Sequence, residues 1–218
     1  MKILLNDIIQ YSDAPDELKS PMLSETSNIS DITIVFDRVR QIDSVGIGNT
    51  DGTILNLTAP GVSPIAITIT ENGLYYLGRT ISVSEITINI DASYIGRIGA
   101  GLAVNIPTSI AKEPGFNSTS EPRTTLSGQV IPGLGGYNYK TISLDSRYKI
   151  GQLAMNELQE GYKYIGMGYP FFIDLSDESY KLPFTKFYAA ERNQRQMSFE
   201  GGVRKYLYSR RWEFEEKF

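Results

Sequence analysis

The chain has 218 residues, a formal net charge of −4, and neither cysteine nor histidine. Those two absences exclude disulfides, thiolate metal sites and cysteine nucleophiles, together with the commonest general base and the commonest metal ligand. The length suits one large domain or two small ones, and folding at this size buries roughly 70% of the unfolded surface without covalent staples.

Charge is uneven along the chain. Residues 1–60 carry four Lys/Arg against nine Asp/Glu, whereas residues 191–218 carry seven against five. Such a gradient suits head-to-tail contact between copies. No basic tract is dense enough to point to nucleic acid, which is not expected among the partners. Met1-Lys2-Ile3-Leu4-Leu5 starts like a signal peptide, but Asn6 and Asp7 interrupt the apolar run. Nothing later approaches the roughly 20 apolar residues of a membrane span. The expectation is a soluble chain made in the cytoplasm, with no signal peptide and no membrane partner.

Period-two alternation dominates the first half and predicts strands at Ile32–Phe36, Ile42–Ile47, Ile65–Thr70 and Ile86–Asp91. Isoleucine and valine, stiff at χ1, pack well on a pleated surface. Asn49-Thr50-Asp51-Gly52 and Glu71-Asn72-Gly73 lie between such runs and read as hairpin turns, since Asp-Gly and Asn-Gly supply positive φ. Short strands closely spaced between turns predict an antiparallel sandwich. Residues 105–123 bring Pro107, Pro114 and Pro122 into a polar, aperiodic stretch, which reads as a surface connection.

The second half predicts strands at Thr125–Ile131 and Tyr137–Leu144 around a Gly133–Gly136 turn. Next comes a helix with Ile150, Leu153, Ala154 and Leu158 on one face and Gly161 as its C-terminal cap. Strand-like runs follow at Tyr162–Gly166, Pro170–Leu175, Phe184–Ala189, Gln196–Glu200 and Val203–Tyr208. In Arg211–Glu215, Trp212 and Phe214 share one face and charges occupy the other.

Chemistry without histidine or cysteine would have to use carboxylates. Asp174, Asp177 and Glu178 cluster as a glycosidase pair would require, but they sit in a short polar segment and read as solvated turn residues. Asn49–Gly52 lacks the further ligands of a calcium loop and reads as a plain turn. Gly46-Ile47-Gly48, Gly99-Ala100-Gly101 and Gly133-Leu134-Gly135-Gly136 lack the Lys-Ser/Thr ending of a phosphate loop. No catalytic, cofactor-binding or metal-ligating residue is therefore assigned. The aromatic distribution says more: ten of the fourteen tyrosines lie between Tyr137 and Tyr208. Tyr188, Arg204, Tyr206, Tyr208, Arg210, Arg211, Trp212 and Phe214 combine the residue types that dominate interface hot spots and are the candidate subunit interface. The alternative is that the aromatics complete the core while the arginines cover its outside.

Ser30-Asp31-Ile32-Thr33-Ile34-Val35-Phe36-Asp37 with Ile42-Asp43-Ser44-Val45-Gly46-Ile47, followed by Ile86–Ile90 and Tyr94–Ile98, resembles a galactose-binding-like jelly roll over residues 28–104. The early tryptophan often found in sugar-binding members is missing. Arg123–Gln129, the Tyr137–Leu144 strand, the single helix and the Trp212–Glu216 strand make residues 120–218 similar to small tail-tip and baseplate proteins of tailed bacteriophages. That resemblance implies a virion structural protein in the phage tail, non-enzymatic, contacting other tail proteins and copies of itself in a ring or collar. A carbohydrate-binding module, with a glycan partner held on exposed tyrosines, is the second reading, and a carboxylate-based glycosidase the third. The expected architecture is mainly β: a jelly-roll-like antiparallel β-sandwich with an N-terminal arm over residues 1–111, a connecting loop over 112–124, and a β-rich region with one short helix over 125–218.

Overall fold

The computed structural model describes residues 1–20, 31–106, 110–118, 123–124, 130–131, 138–145, 150–164, 169–176, 185–191, 198–202, 205–209 and 211–217. Strand β1 (Lys2–Leu4) leads through a 3-10 turn at Ile8–Tyr11 to a one-turn helix, α1 (Asp16–Lys19). Then come β2 (Asp31–Thr50), β3 (Ile54–Ala59), β4 (Val62–Thr68), β5 (Gly73–Ile90) and β6 (Ile95–Gly101). After them run β7 (Val104–Asn105), β8 (Ile110–Ser118), β9 (Arg123–Thr124), β10 (Val130–Ile131), β11 (Asn138–Asp145) and β12 (Ile150–Gly151). The chain continues with helix α2 (Gln152–Tyr164), β13 (Phe171–Asp174), β14 (Lys186–Glu191), β15 (Ser198–Gly202), β16 (Lys205–Ser209) and β17 (Arg211–Glu216). All pairings among the described residues are antiparallel. They build a five-stranded sheet, β4-β3-β5-β2-β6, and a seven-stranded sheet, β7-β1-β13-β14-β17-β11-β8. Two small sheets, β10-β9 and β12-β16-β15, are also formed among the described residues. The protein is thus mainly β, with two principal antiparallel sheets and one short multi-turn helix, as the alternation predicts.

The two runs Ile32–Phe36 and Ile42–Ile47 belong to one long strand, β2, paired along β5. A straight 20-residue strand would span about 65 Å at roughly 3.3 Å per residue. This ribbon cannot be straight, because its two ends meet: Thr50 Oγ1 donates to the Tyr94 carbonyl (2.8 Å), four residues beyond the end of β5 at Ile90. The ladder breaks where the ribbon turns. Residues 36–39 of β2 oppose the single Ser84, and residues 77–80 of β5 oppose the single Asp43. Each bulge tucks one apolar side chain inward, Phe36 and Leu77, and Gly78 takes φ 76°. Folded double, the ribbon buries Ile32, Ile34, Ile86 and Ile88 from one half in the same core as Val45 and Ile47 from the other and Ile95 and Ile98 from β6.

The Asx-Gly turns therefore do not close hairpins. β2 pairs with neither β3 nor β4, so Asn49–Gly52 is a corner between the two halves of the folded ribbon. Asp51 Oδ1 accepts from Ser93 N (2.8 Å), and Asp91 Oδ1 accepts from Thr53 N and Ile54 N (2.8 and 2.6 Å). Glu71–Gly73 likewise leads from β4 to β5, which are not paired. In the five-stranded sheet the tight hairpin is β3–β4, closed by Pro60-Gly61 with Gly61 at φ 72°. Proline followed by glycine at positive φ suits a type II turn.

The central sheet takes strands from both ends of the chain. β1, in the expected N-terminal arm, lies between β7 and β13. Residues 110–118, most of them expected in the connecting loop, form its edge strand β8, paired with β11. Pro114 is tolerated there because an outermost strand has one side without ladder bonds. Along this sheet the row Leu4–Phe172–Tyr188 faces the folded ribbon. Ile3, Ile173 and Phe187 face the other way, into a second core with Trp212, Phe214, Met155 and Leu158.

Helix α2 closes that second core, with its phase shifted from the expected one. Met155 and Leu158 point inward, whereas Leu153 is 81% exposed. Gly161 is no cap, because the helix runs on to Tyr164 and overrides the strand expected at Tyr162–Gly166. A Cβ on Gly161 would stand 2.6 Å from the Leu5 Cβ, so glycine is what lets the helix approach the N-terminal segment. No helix among the described residues is long and apolar enough to cross a membrane. The Gly133–Gly136 turn, Pro107, Pro122 and most of Thr125–Ile131 lie outside the described residues.

Candidate functional site

Tyr188, Trp212 and Phe214 of the candidate interface are interior residues, 0%, 0% and 1% exposed. Alternation along β17 sends Trp212 and Phe214 inward, where Phe214 meets Phe171 edge-on at 5.9 Å and Trp212 stacks on Phe214 at 5.9 Å. Tyr188 lies against Phe172 at 4.7 Å between the two large sheets, and burial pushes its hydroxyl pKa up. The core alternative therefore holds for these three. Arg211 is exposed and pairs with Glu213 at 3.1 Å. Tyr206 and Tyr208 lie on β16, two residues apart, while Arg204 and Arg210 lie outside the described residues.

Asp174 is not a solvated turn residue. It ends β13 at 5% exposure, accepts from Ser176 N (2.7 Å) and pairs with Lys186 Nζ (3.2 Å). Asp177 and Glu178 lie outside the described residues. The Asn49–Gly52 corner uses its carboxylate on backbone donors: N–H groups of Ser93 and Tyr94 hold Asp51 below the usual carboxylate range. Those of Ile54 and Thr53, with the Thr53 hydroxyl, do the same for Asp91.

The glycine pairs have a packing reason. Gly46 and Gly99 are register partners on β2 and β6. A Cβ on either would stand 2.1 and 2.8 Å from the Phe172 ring, so the pair forms a dimple that seats this ring from the central sheet. At the same joint Glu71 reaches across. Its Oε1 accepts from Thr185 N, Thr185 Oγ1 and Lys186 N at 2.9, 2.9 and 2.8 Å. Its Oε2 stands 3.8 Å from Lys140 Nζ, which also pairs with Glu216 at 3.2 Å. Tyr75 fixes the corner behind Glu71, its hydroxyl donating to the Glu71 carbonyl (2.6 Å) and accepting from Thr70 N (3.0 Å).

A second buried ionic group fastens the N-terminal segment. Asp7 Oδ2 accepts from Arg97 Nη2 at 2.7 Å, and Asp7 Oδ1 accepts from Ile9 N and Ala100 N. Arg97, its side chain 2% exposed, also donates to the carbonyls of Lys19 and Ser20 at the end of α1. Burial pushes the Asp7 carboxyl up, opposed by Arg97 and the two backbone donors. Arg97 was legible in principle, as a charge inside the otherwise apolar run Ile95–Ala100. Nothing local to Asp7 marks it as the partner of Arg97, nor Glu71 as that of Thr185 and Lys186.

On the outside, Tyr11, Val35 and Val39 are exposed near the ribbon bend. Arg40 lies 5.5 Å over the Tyr11 ring and grips Asp37 with two 2.9 Å bonds. Tyr76, also exposed, carries Lys2 Nζ at 4.4 Å over its ring. Comparison of the chain with known protein families, with curated proteins and with solved structures gives no match.

Proposed function

We propose that this chain is a non-catalytic structural protein of a tailed-phage virion. In this reading it is a tail or tail-tip component, made in the host cytoplasm and acting through contacts with other tail proteins and with copies of itself. The observation that carries the reading is where the buried and half-buried charge goes. Asp7–Arg97 ties the N-terminal segment to β6, Glu71 with Thr185 and Lys186 ties one large sheet to the other, and Asp174–Lys186 ties β13 to β14. A carboxylate catalyst needs an acid facing substrate. Asp174, the one glycosidase candidate among the described residues, is buried and ion-paired instead. The glycan reading has less support, since Tyr11 and Tyr76 each carry a cation over one ring face.

With Tyr188, Trp212 and Phe214 inside, the proposed interface narrows to Arg204, Tyr206, Tyr208, Arg210 and Arg211, meeting the acidic first 60 residues of a neighbour. A heterologous contact of that kind closes into rings when its rotation permits. Two measurements test this. The protein should copurify with intact phage particles in stoichiometric amount. The Arg210→Glu/Arg211→Glu variant should keep its circular dichroism spectrum and lose assembly in light scattering. A wild-type chain that joins no particle and stays monomeric at every concentration refutes the proposal.

A further inference from the structure

Open sheet edges are templates for strand addition, and the two large sheets have four of them. Among the described residues they are handled in three ways. The outer side of β6 is covered by the N-terminal segment, where the Asp7 carboxylate takes the Ala100 N–H. β7 is only two residues long. β4 and β8 are longer, and no described strand pairs with their outer sides.

These two edges carry the same device. On β4, Ser63 and Pro64 together oppose the single Thr58 of β3. On β8, Glu113 and Pro114 together oppose the single Ile142 of β11. Each is a bulge of two residues against one, with proline second. A bulge twists the strand out of register with an incoming partner, and proline removes one N–H a partner would need.

We infer that the bulge prolines Pro64 and Pro114 are guards that stop a second copy of this chain from adding strand to strand at β4 and β8. Both strands are already extended and antiparallel to their inner neighbour, so an unguarded edge would accept an identical edge across a twofold axis. The inference does not depend on the proposed tail function, because it concerns the contact that the fold prevents.

The test uses the full-length chain with Pro64→Thr and Pro114→Thr, singly and together. After circular dichroism confirms folding, sedimentation velocity across a concentration series compares each variant with the parent. Association should tighten by about fivefold or more, the equivalent of one net hydrogen bond. Backbone amides of β4 or β8 should exchange more slowly in the associated form. Adding Ala66→Lys to Pro64→Thr places a charge on the edge strand and should return association to the parent level. Pro64→Ala restores the same N–H with a smaller side chain. It should tighten association as Pro64→Thr does, and it decides the β4 case if Pro64→Thr does not fold. Folded variants that associate no more than the parent overturn the inference. So does new association that leaves β4 and β8 amides unprotected.

Discussion

Replacing Asp7 by alanine strands the Arg97 guanidinium. The side chains of Asp7 and Arg97 are 12% and 2% exposed, so water cannot take over as partner without opening the contact between the N-terminal segment and β6. Removing one member of a buried pair costs about 3–5 kcal/mol, since the other charge is left uncompensated. The Ile9 and Ala100 N–H groups lose their acceptor as well. Against a total stability of about 5–15 kcal/mol, the loss is a large fraction. Urea denaturation followed by Trp212 fluorescence measures it, because the single tryptophan sits in the second core, away from the substitution. Asp7→Leu/Arg97→Met removes both charges and should cost less than Asp7→Ala alone, as buried pairs replaced by apolar side chains often do. Arg97→Met alone adds a pH signature. The Asp7 carboxyl is already raised by burial, and without Arg97 it rises further. A raised folded-state pKa contributes stability below the unfolded value and loses it as pH rises through the folded value. Arg97→Met should therefore weaken on going from acid to neutral pH. A loss below about 1 kcal/mol for Asp7→Ala, within the range of exposed pairs, or a double variant as damaged as the sum of the singles, refutes the reasoning.

Three further outcomes are expected. Ile88→Ala, in the fully buried isoleucine face of β5, should cost about 2–5 kcal/mol, and an unchanged urea midpoint would contradict its core placement. Gly46→Val puts side-chain atoms where the Phe172 ring sits and should cost about 1–3 kcal/mol by overpacking, read as a lower melting temperature; Phe172→Ala in the same chain should recover part of it. The Asp51 and Asp91 carboxyls are held below their ordinary value by backbone N–H groups, so their stabilisation is present above the unfolded carboxylate pKa of about 4 and fades as pH falls through the folded value. Asp51→Ala/Asp91→Ala should flatten the acid limb of the stability curve, and a limb of unchanged slope would show that these caps do not contribute.

Strand character was legible because the burial period is local. Ile86, Ile88 and Ile90 alternate in the sequence and all lie inward. The doubling of the β2–β5 ribbon was not legible, since the bulge at Phe36–Val39 contains neither glycine nor proline and looks like a gap between two strands. Asp51-Gly52 and Asn72-Gly73 had the chemistry of tight turns, but that chemistry serves a corner between layers as well as a hairpin. The phase of α2 depended on a distant residue. Leu153 and Met155 are comparably apolar, and the inward face is the one that carries Gly161, where Leu5 approaches. On β17 the period of Trp212 and Phe214 was plain, but whether that face met solvent, a partner or the core depended on β14, β11 and α2. Aromatic and arginine enrichment marks interface and core alike, and only the position of the neighbouring sheet separates them.

The same long-range placement makes the expected division into residues 1–111 and 125–218 testable. The five-stranded sheet draws all its ladders from residues 31–101, so it can form early. Its core, however, also contains Ile8, Ile9, Ala14 and Leu18, and the segment carrying them is anchored by β1 between β7 and β13. Lys2 pairs with Asp174 and Leu4 with Phe172, so β1 gains its second partner only when the far end of the chain is in place. Leu4 then joins Phe172 and Tyr188 on the joint that Gly46 and Gly99 shape. Each sheet thus supplies part of what closes the other, and the two should unfold together. Trp212 fluorescence reports the second core, and hydrogen exchange at Ile86 and Ile88 reports the first. The two should give one urea midpoint and one free energy. Two separated transitions, with the Ile86–Ile88 amides protected after Trp212 is exposed, would mean that the five-stranded sheet holds its core without the anchor that β13 gives β1.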